Sequence, residues 1–200
     1  MKKSEIPQHI VSTAMSLAVE TGWATLSLAE IAVVSKVSLS DLHQIFPSKN
    51  SILRFISEQA DQGVLDECDT DDLQQPAKDR LFEICMNRFD ALAPFKEGIK
   101  AIAKDSLRDP VAALLFLCNL RRSMPLMLEA AGISTSGIRG VVRVKAFSIA
   151  YLTALQSWLH DDSDDLGKTM VKLDKVLGRL DTMARRCTRS GVLRNKEKAA

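Results

Sequence analysis

Residues 21–53, TGWATLSLAEIAVVSKVSLSDLHQIFPSKNSIL, contain two short helical patterns separated by a turn. Ser27 and Glu30 are three residues apart, which is the spacing of a capping box and predicts a helix from residue 28 to about residue 35. After a turn of three or four residues, Ser38 can cap a second helix over residues 39–45. Two short helices joined by such a turn are typical of a helix-turn-helix, whose second helix enters the major groove of DNA.

The rest of the chain is also predicted to be helical, because apolar residues recur every three or four positions. A break or kink is expected at Pro125, and Ser163 is expected to cap the last helix. No alternating run is long enough to predict a strand, so the fold class is all-α. The remaining helices are predicted over about residues 6–21, 49–66, 76–92, 96–105, 110–124, 141–159 and 164–186.

Charge is unevenly distributed along the 200 residues, although the net charge is only +2. Residues 61–75 contain six acids and no base, whereas residues 168–198 contain ten Lys or Arg against three acids. We therefore predict an N-terminal three-helix helix-turn-helix head followed by a helical ligand-binding and dimerisation body. The boundaries are 1–60 for the head, 61–75 for an acidic junction, 76–190 for the body and 191–200 for a flexible basic tail.

The helix-turn-helix stretch resembles the head of the tetracycline-repressor (TetR) family. The shared pattern is Gly22-Trp23, then Ile31-Ala32, Val37-Ser38, Leu42 and a segment from Phe46 through Lys49 to Leu53, at the family's spacings, with His43 where the family usually has Tyr. The resemblance implies a homodimer that binds double-stranded DNA at a palindromic operator and reads it with residues 39–45. The residues that it implies at the DNA are Lys36, Ser38, Ser40, His43, Gln44 and Lys49.

Two departures from the family pattern leave a second interpretation of the head open. The recognition helix contains Asp41 and no Arg or Lys, so it lacks the side chains that most often read guanine. Residues 1–60 contain five basic and five acidic residues, and a neutral head supplies little of the phosphate attraction that gives non-specific affinity. The head is therefore expected either to bind DNA weakly or to be an inherited scaffold without DNA binding.

A looser resemblance runs from Tyr151 to Asp181. This part is similar to the lipid-binding proteins of ubiquinone biosynthesis, which have a TetR-like fold, hold isoprenoid lipid and do not bind DNA. The resemblance implies an alternative function as a lipid-binding accessory protein. The tail offers only Val192 and Leu193 as large apolar residues, so any membrane contact is expected to be weak.

The body is rich in Met and aromatic side chains that either form a plain core or line an apolar pocket for a small hydrophobic molecule or lipid. The pocket candidates are Phe82, Met86, Phe89, Phe116, Leu120, Met124, Met127, Phe147 and Tyr151. The last two helices present more apolar residues than one body needs to cover, which suggests a homodimer built on them. The interface candidates are Leu155, Trp158, Leu166, Met170, Leu173, Leu177 and Leu180.

The sequence predicts no metal, no cofactor and no enzyme. Residues 161–165 contain four Asp but fail the pattern of a calcium loop, and they are better explained as caps of the last helix. The three histidines lie on separate predicted elements, without a neighbouring nucleophile or a glycine-rich phosphate loop. The four cysteines have no zinc spacing, and we find no secretory signal, so a cytoplasmic location is expected.

Overall fold

The structure is a computed structural model that describes residues 5–67, 74–106 and 110–197, with the backbone alone for residues 110–113, 115, 116 and 187–197. The described residues are helical and contain no strand, which confirms the all-α prediction. The helices are α1 (Ile6–Thr21), α2 (Leu28–Ser35), α3 (Leu39–Ile45), α4 (Lys49–Glu67), α5 (Ala77–Leu92), α6 (Lys96–Ser106), α7 (Pro110–Ala130), α8 (Gly137–Leu159) and α9 (Gly167–Glu197).

The chain forms two compact units, each built from two segments. The first contains Met1–Asp66 and Arg88–Ser123, and the second contains Glu67–Asn87 and Met124–Ala200. The helix-turn-helix thus shares its unit with later parts of the chain. Helix α4 continues to Glu67, so the first residues of the predicted acidic junction belong to a helix. The predicted division into head, junction, body and tail stays a prediction.

In the first unit, α1 packs against both α2 and α6. Ile10 and Ala14 of α1 are fully buried. The contact with α6 is close, because a Cβ atom added to Gly98 would lie 2.8 Å from the Sδ atom of Met15. A glycine at this position therefore allows α6 to approach α1 without displacing the methionine.

The second unit is built on the pairing of α8 with α9. Tyr151 and Trp158 of α8 are at most 1% exposed, and Leu173 of α9 is fully buried. At about 25 cal/mol per Å² of apolar surface removed from water, side chains of this size are the main source of the pairing's stability.

Four details of the later helices differ from the sequence prediction. Helix α7 continues through Pro125 to Ala130, so the proline does not break it. Helix α8 begins at Gly137, four residues earlier than predicted, and α9 extends to Glu197 rather than ending near residue 186. Ser163 does not cap α9; its hydroxyl donates instead to the carboxylate of Asp161.

Asp161 organises the connection between α8 and α9. Its side chain accepts hydrogen bonds from the backbone N–H of Thr169 (2.7 Å) and the Thr169 hydroxyl (2.8 Å), and also from Ser163. Burial acts to raise the pKa of Asp161, but the hydrogen bonds from Ser163 and Thr169 outweigh burial and hold the pKa well below its usual range. Asp165 accepts from the N–H of Gly167 at 3.1 Å. The interpretation of this acidic segment as helix caps is thereby confirmed for these two residues.

Candidate nucleic-acid interface

The helix-turn-helix has the local hydrogen bonds that its sequence predicts. The Ser27 N–H donates to Oε2 of Glu30 at 2.8 Å, and the Glu30 N–H donates to Oγ of Ser27 at 3.2 Å, which completes the capping box. The Ser27 side-chain hydroxyl is the main cause of a lowered pKa of Glu30, with the Ser27 N–H second. Lys36 turns the chain in the left-handed region, with φ 56° and ψ 37°. A side chain at such a position is strained, and glycine is the residue that relieves it.

Helix α3 is anchored by its apolar face. Leu42 is fully buried, and Phe46, directly after the helix, is 2% exposed. The rings of Phe46 and Phe55 meet edge to face, with 5.4 Å between their centroids, which ties the end of α3 to α4. Ser40, His43 and Gln44, three of the residues predicted to face DNA, are exposed on α3. The fold therefore brings these three together on one solvent-facing surface.

The N-terminus of α3 is closed by its own residues. The Asp41 N–H donates to Oγ of Ser38 at 3.0 Å, and the Ser38 hydroxyl donates to Oδ2 of Asp41 at 2.6 Å. Ser38 is therefore occupied as a helix cap, and the Asp41 carboxylate is turned back toward that cap. The contact predicted between Ser38 and DNA stays a prediction.

Lys49, predicted to meet a phosphate, is half-buried and donates hydrogen bonds within the protein. Its ammonium donates to the carbonyl oxygens of Trp23 (2.6 Å) and Ala24 (3.3 Å) and lies 5.3 Å from the centroid of the Trp23 ring. Burial lowers the pKa of Lys49, while the nearby charges of Asp105 and Glu30 act to raise it. A phosphate contact would compete with these bonds, and it stays a prediction.

The described part of the head offers few cations for phosphate. Within residues 5–67 the basic residues are Lys36, Lys49 and Arg54. Arg54 lies 3.3 Å from the carboxylate of Glu58 in an exposed i,i+4 pair. Lys36 is exposed at the turn itself, next to α3, and is the best placed of the three for a phosphate.

A buried ionic cluster, not predicted from the sequence, joins α4, α5 and α7. The Arg88 guanidinium donates from Nε to Oδ1 of Asp61 at 2.9 Å, and from one terminal nitrogen to Ser57 (2.8 Å) and Ser123 (3.0 Å). The Ser123 hydroxyl donates to the second carboxylate oxygen of Asp61 at 2.6 Å. Arg88 is only 2% exposed and Asp61 only 9%. In the sequence, the signal that could have indicated this cluster is the presence of Asp61 and Arg88 on the apolar faces of two amphipathic helices.

The predicted pocket residues differ in their exposure to solvent, and the pocket that they were predicted to line stays a prediction. Phe89, Met124, Met127, Phe147 and Tyr151 are at most 1% exposed, as core residues are, and the Phe116 side chain lies outside those described. Leu120 is 7% exposed, whereas Phe82 and Met86 are half-buried.

An open groove of about 450 Å³ lies between α5 and α9 in the second unit. Phe82 is the one predicted pocket residue among those that line it. The lining residues are Asp79, Phe82, Glu83, Met170, Val171 and Asp174. Lys78 is bonded to Asp174, so one of the three carboxylates is already paired.

Four of the predicted interface residues are already buried within the single chain. Leu155, Trp158, Leu173 and Leu177 are at most 5% exposed. Leu166, Met170 and Leu180 are half-buried. Among the side chains that the structure describes on these two helices, the large exposed apolar residues are Ile138, Val141, Val142 and Ile149 of α8 and Val171 and Met183 of α9.

No protein-family model and no curated protein sequence matches the chain. Solved structures do match it. A TetR transcriptional regulator from Nitrosomonas europaea is 23% identical with a TM-score of 0.68, covering 86% of this chain and 96% of that one. The fold is that of the TetR-family regulators.

Two further TetR-family structures agree. One from Streptomyces coelicolor is 18% identical with a TM-score of 0.59, over 98% of this chain and 89% of that one. One from Rhodococcus is 16% identical with a TM-score of 0.56, over 90% and 97%. Both are named as regulators, and the resemblance to ubiquinone-biosynthesis lipid-binding proteins receives no support from them. Within the described residues, no helix combines the length and apolarity needed to cross a bilayer.

Proposed function

We propose that this protein is a DNA-binding transcriptional regulator of the TetR type, with α3 as its recognition helix. The observation that carries the proposal is the geometry of α3. Leu42 and Phe46 anchor one side of this helix in the core, while Ser40, His43 and Gln44 project from the other. A short helix anchored in this way, after a tight turn, can enter a major groove about 12 Å wide.

The side chains have different proposed roles at the DNA. Ser40, His43 and Gln44 contact base edges, and Lys36 contacts a phosphate beside the turn. Ser38 and Lys49 position the motif, Ser38 by capping α3 and Lys49 by tying α4 to the carbonyl oxygens at Trp23 and Ala24. With few phosphate contacts, the affinity is expected to fall with salt less steeply than that of a basic repressor.

Selection from fragments of the source genome, followed by fluorescence anisotropy at two salt concentrations, tests this proposal. His43→Ala is expected to change sequence preference, and Lys36→Ala to weaken all sequences alike and reduce the salt slope by about one unit per phosphate lost. His160→Ala is the matched control, because His160 is an exposed histidine at the end of α8. Absence of any selected sequence would reject DNA binding.

We propose that the regulator is a homodimer formed through exposed residues of α8 and α9. Ile138, Val142 and Ile149 follow one another at steps of four and seven along α8 and are 61–86% exposed, which makes them a stripe on one face. Ile149→Glu is expected to give a monomer in sedimentation equilibrium. Val19→Glu, at an exposed valine of α1, is the control and should leave the mass unchanged. A wild-type monomer at micromolar concentration would contradict the proposal.

We further propose that a small hydrophobic ligand bound by the second unit modulates operator affinity. The support is the groove between α5 and α9, whose volume lies in the range of ligand sites and whose lining includes Phe82 and Met170. Native mass spectrometry and solvent extraction would identify a retained molecule. Met170→Ala should weaken its binding, whereas Met183→Ala, at an exposed methionine elsewhere on α9, should not. A ligand that leaves operator affinity unchanged would exclude the regulatory role.

A further inference from the structure

The exposed surface around the turn of the helix-turn-helix carries apolar side chains beside Lys36. Val33 and Val34 at the end of α2 are 77% and 52% exposed, and Leu39, the first residue of α3, is 50% exposed. Isolated exposed apolar residues are common on proteins. Three of them occur within seven residues here, on the motif proposed to meet DNA, so this surface offers DNA apolar groups as well as polar ones.

The polar side chains of α3 limit the kinds of base pair that this helix can recognise. The helix contains no Arg or Lys, so the bidentate contact to the O6 and N7 atoms of guanine is not available from it. Ser38 and Asp41 bond each other at the start of the helix. The exposed side chains that remain along α3 are Leu39, Ser40, His43 and Gln44.

Two of these side chains match the chemistry of an A·T base pair. A glutamine such as Gln44 can bond both N6 and N7 of adenine, which distinguishes adenine from guanine. The exposed methyl groups of Leu39 have an apolar counterpart in the major groove, the C5-methyl group of thymine. Residues at the N-terminal end of a recognition helix contact base edges, and Leu39 occupies that end.

We propose that α3 reads A·T base pairs, with Leu39 packed on the C5-methyl group of a thymine and Gln44 bonded to an adenine. This inference rests on the proposed function as a DNA-binding regulator and adds the class of base that it recognises. Leu39 is then a specificity-determining residue, although it has no hydrogen-bonding group.

Selection from a random duplex library with the full chain gives the first test. The half-sites recovered are expected to contain A·T pairs at two positions, one of which changes with Gln44→Ala and the other with Leu39→Ala. Both residues are exposed, so these variants should fold as the wild type does, which circular dichroism would verify. Leu65→Ala is the matched control, because Leu65 is a 43% exposed leucine of α4, outside the helix-turn-helix.

Replacing thymine by deoxyuridine in the selected duplex gives the decisive measurement, since it removes the C5-methyl group and leaves base pairing unchanged. Wild type and Leu65→Ala should each lose about fourfold in affinity per contacted thymine, the value of one buried methyl group. Leu39→Ala should bind the two duplexes equally. Selected G·C pairs, or specific binding that ignores the methyl group, would overturn the inference and leave DNA binding intact. Recovery of no specific sequence would overturn both.

Discussion

Replacing Arg88 with methionine is expected to destabilise the first unit more than any change at an exposed charge. The guanidinium is 2% exposed and donates to Asp61, Ser57 and Ser123 at 2.8–3.0 Å. Methionine fills much of the same volume but leaves the Asp61 carboxylate, 9% exposed, without a cation beside it. Removal of one partner from a buried ion pair costs about 3–5 kcal/mol, and we expect a loss in that range.

The double substitution Arg88→Met with Asp61→Leu separates the cost of the orphaned charge from the value of the pair. Ser57 and Ser123 remain, and their hydroxyl oxygens already lie 3.1 Å apart, so they can bond each other. Because an apolar pair can replace a buried ion pair at little net cost, the double variant should recover most of the stability lost by Arg88→Met.

Urea unfolding followed by far-ultraviolet circular dichroism measures these differences. Arg54→Met is the control, since Arg54 forms an exposed pair with Glu58 on the same helix as Asp61. Its cost should be about 0.5 kcal/mol or less. The reasoning would be refuted if Arg88→Met cost less than about 1 kcal/mol. It would also be refuted if the double variant lost as much free energy of unfolding as Arg88→Met and Asp61→Leu lose together.

Four other substitutions have defined outcomes in the same unfolding assay. Asp161→Ala should cost about 3 kcal/mol at neutral pH, because buried donors lose their acceptor. The pKa of Asp161 is lower in the folded protein than in the unfolded chain. Its contribution to stability is therefore present above the unfolded pKa of about 3.9 and is lost as the pH falls through the folded value. The stability of Asp161→Ala should consequently fall less with acid than that of the wild type. Gly98→Ala should cost about 1–3 kcal/mol, because the new methyl group would overlap Met15. Gly63→Ala should instead stabilise α4 by about 0.5–1 kcal/mol, because the nearest neighbour of its Cβ atom would be 3.9 Å away. Lys36→Gly should stabilise the turn by about 0.5–1 kcal/mol, and an unchanged unfolding midpoint would contradict the strain inferred from its φ of 56°.

The elements that depend on local interactions could be predicted from the amino-acid sequence alone. The capping box of α2 and the cap of α3 each depend on residues three apart, and both form as predicted. The all-α class follows from the spacing of apolar residues, which is also a local property. Helix ends were less predictable, as α9 shows, because no cap or proline stops it near residue 186.

The contacts that each helix face makes could be learned only from the folded chain. Asp61 and Arg88 are 27 residues apart, and nothing in either neighbourhood indicates that they pair. The resemblance places Lys49 at a phosphate, and nothing in its local sequence indicates that the fold brings the Trp23 carbonyl oxygen to 2.6 Å from its ammonium. From the sequence, Leu173 could belong to a dimer interface or to the core. In the structure it is fully buried on α9, which packs against α8. Amphipathic periodicity specifies that a face is apolar, but the identity of its partner depends on contacts between residues distant in sequence, which local spacing does not encode.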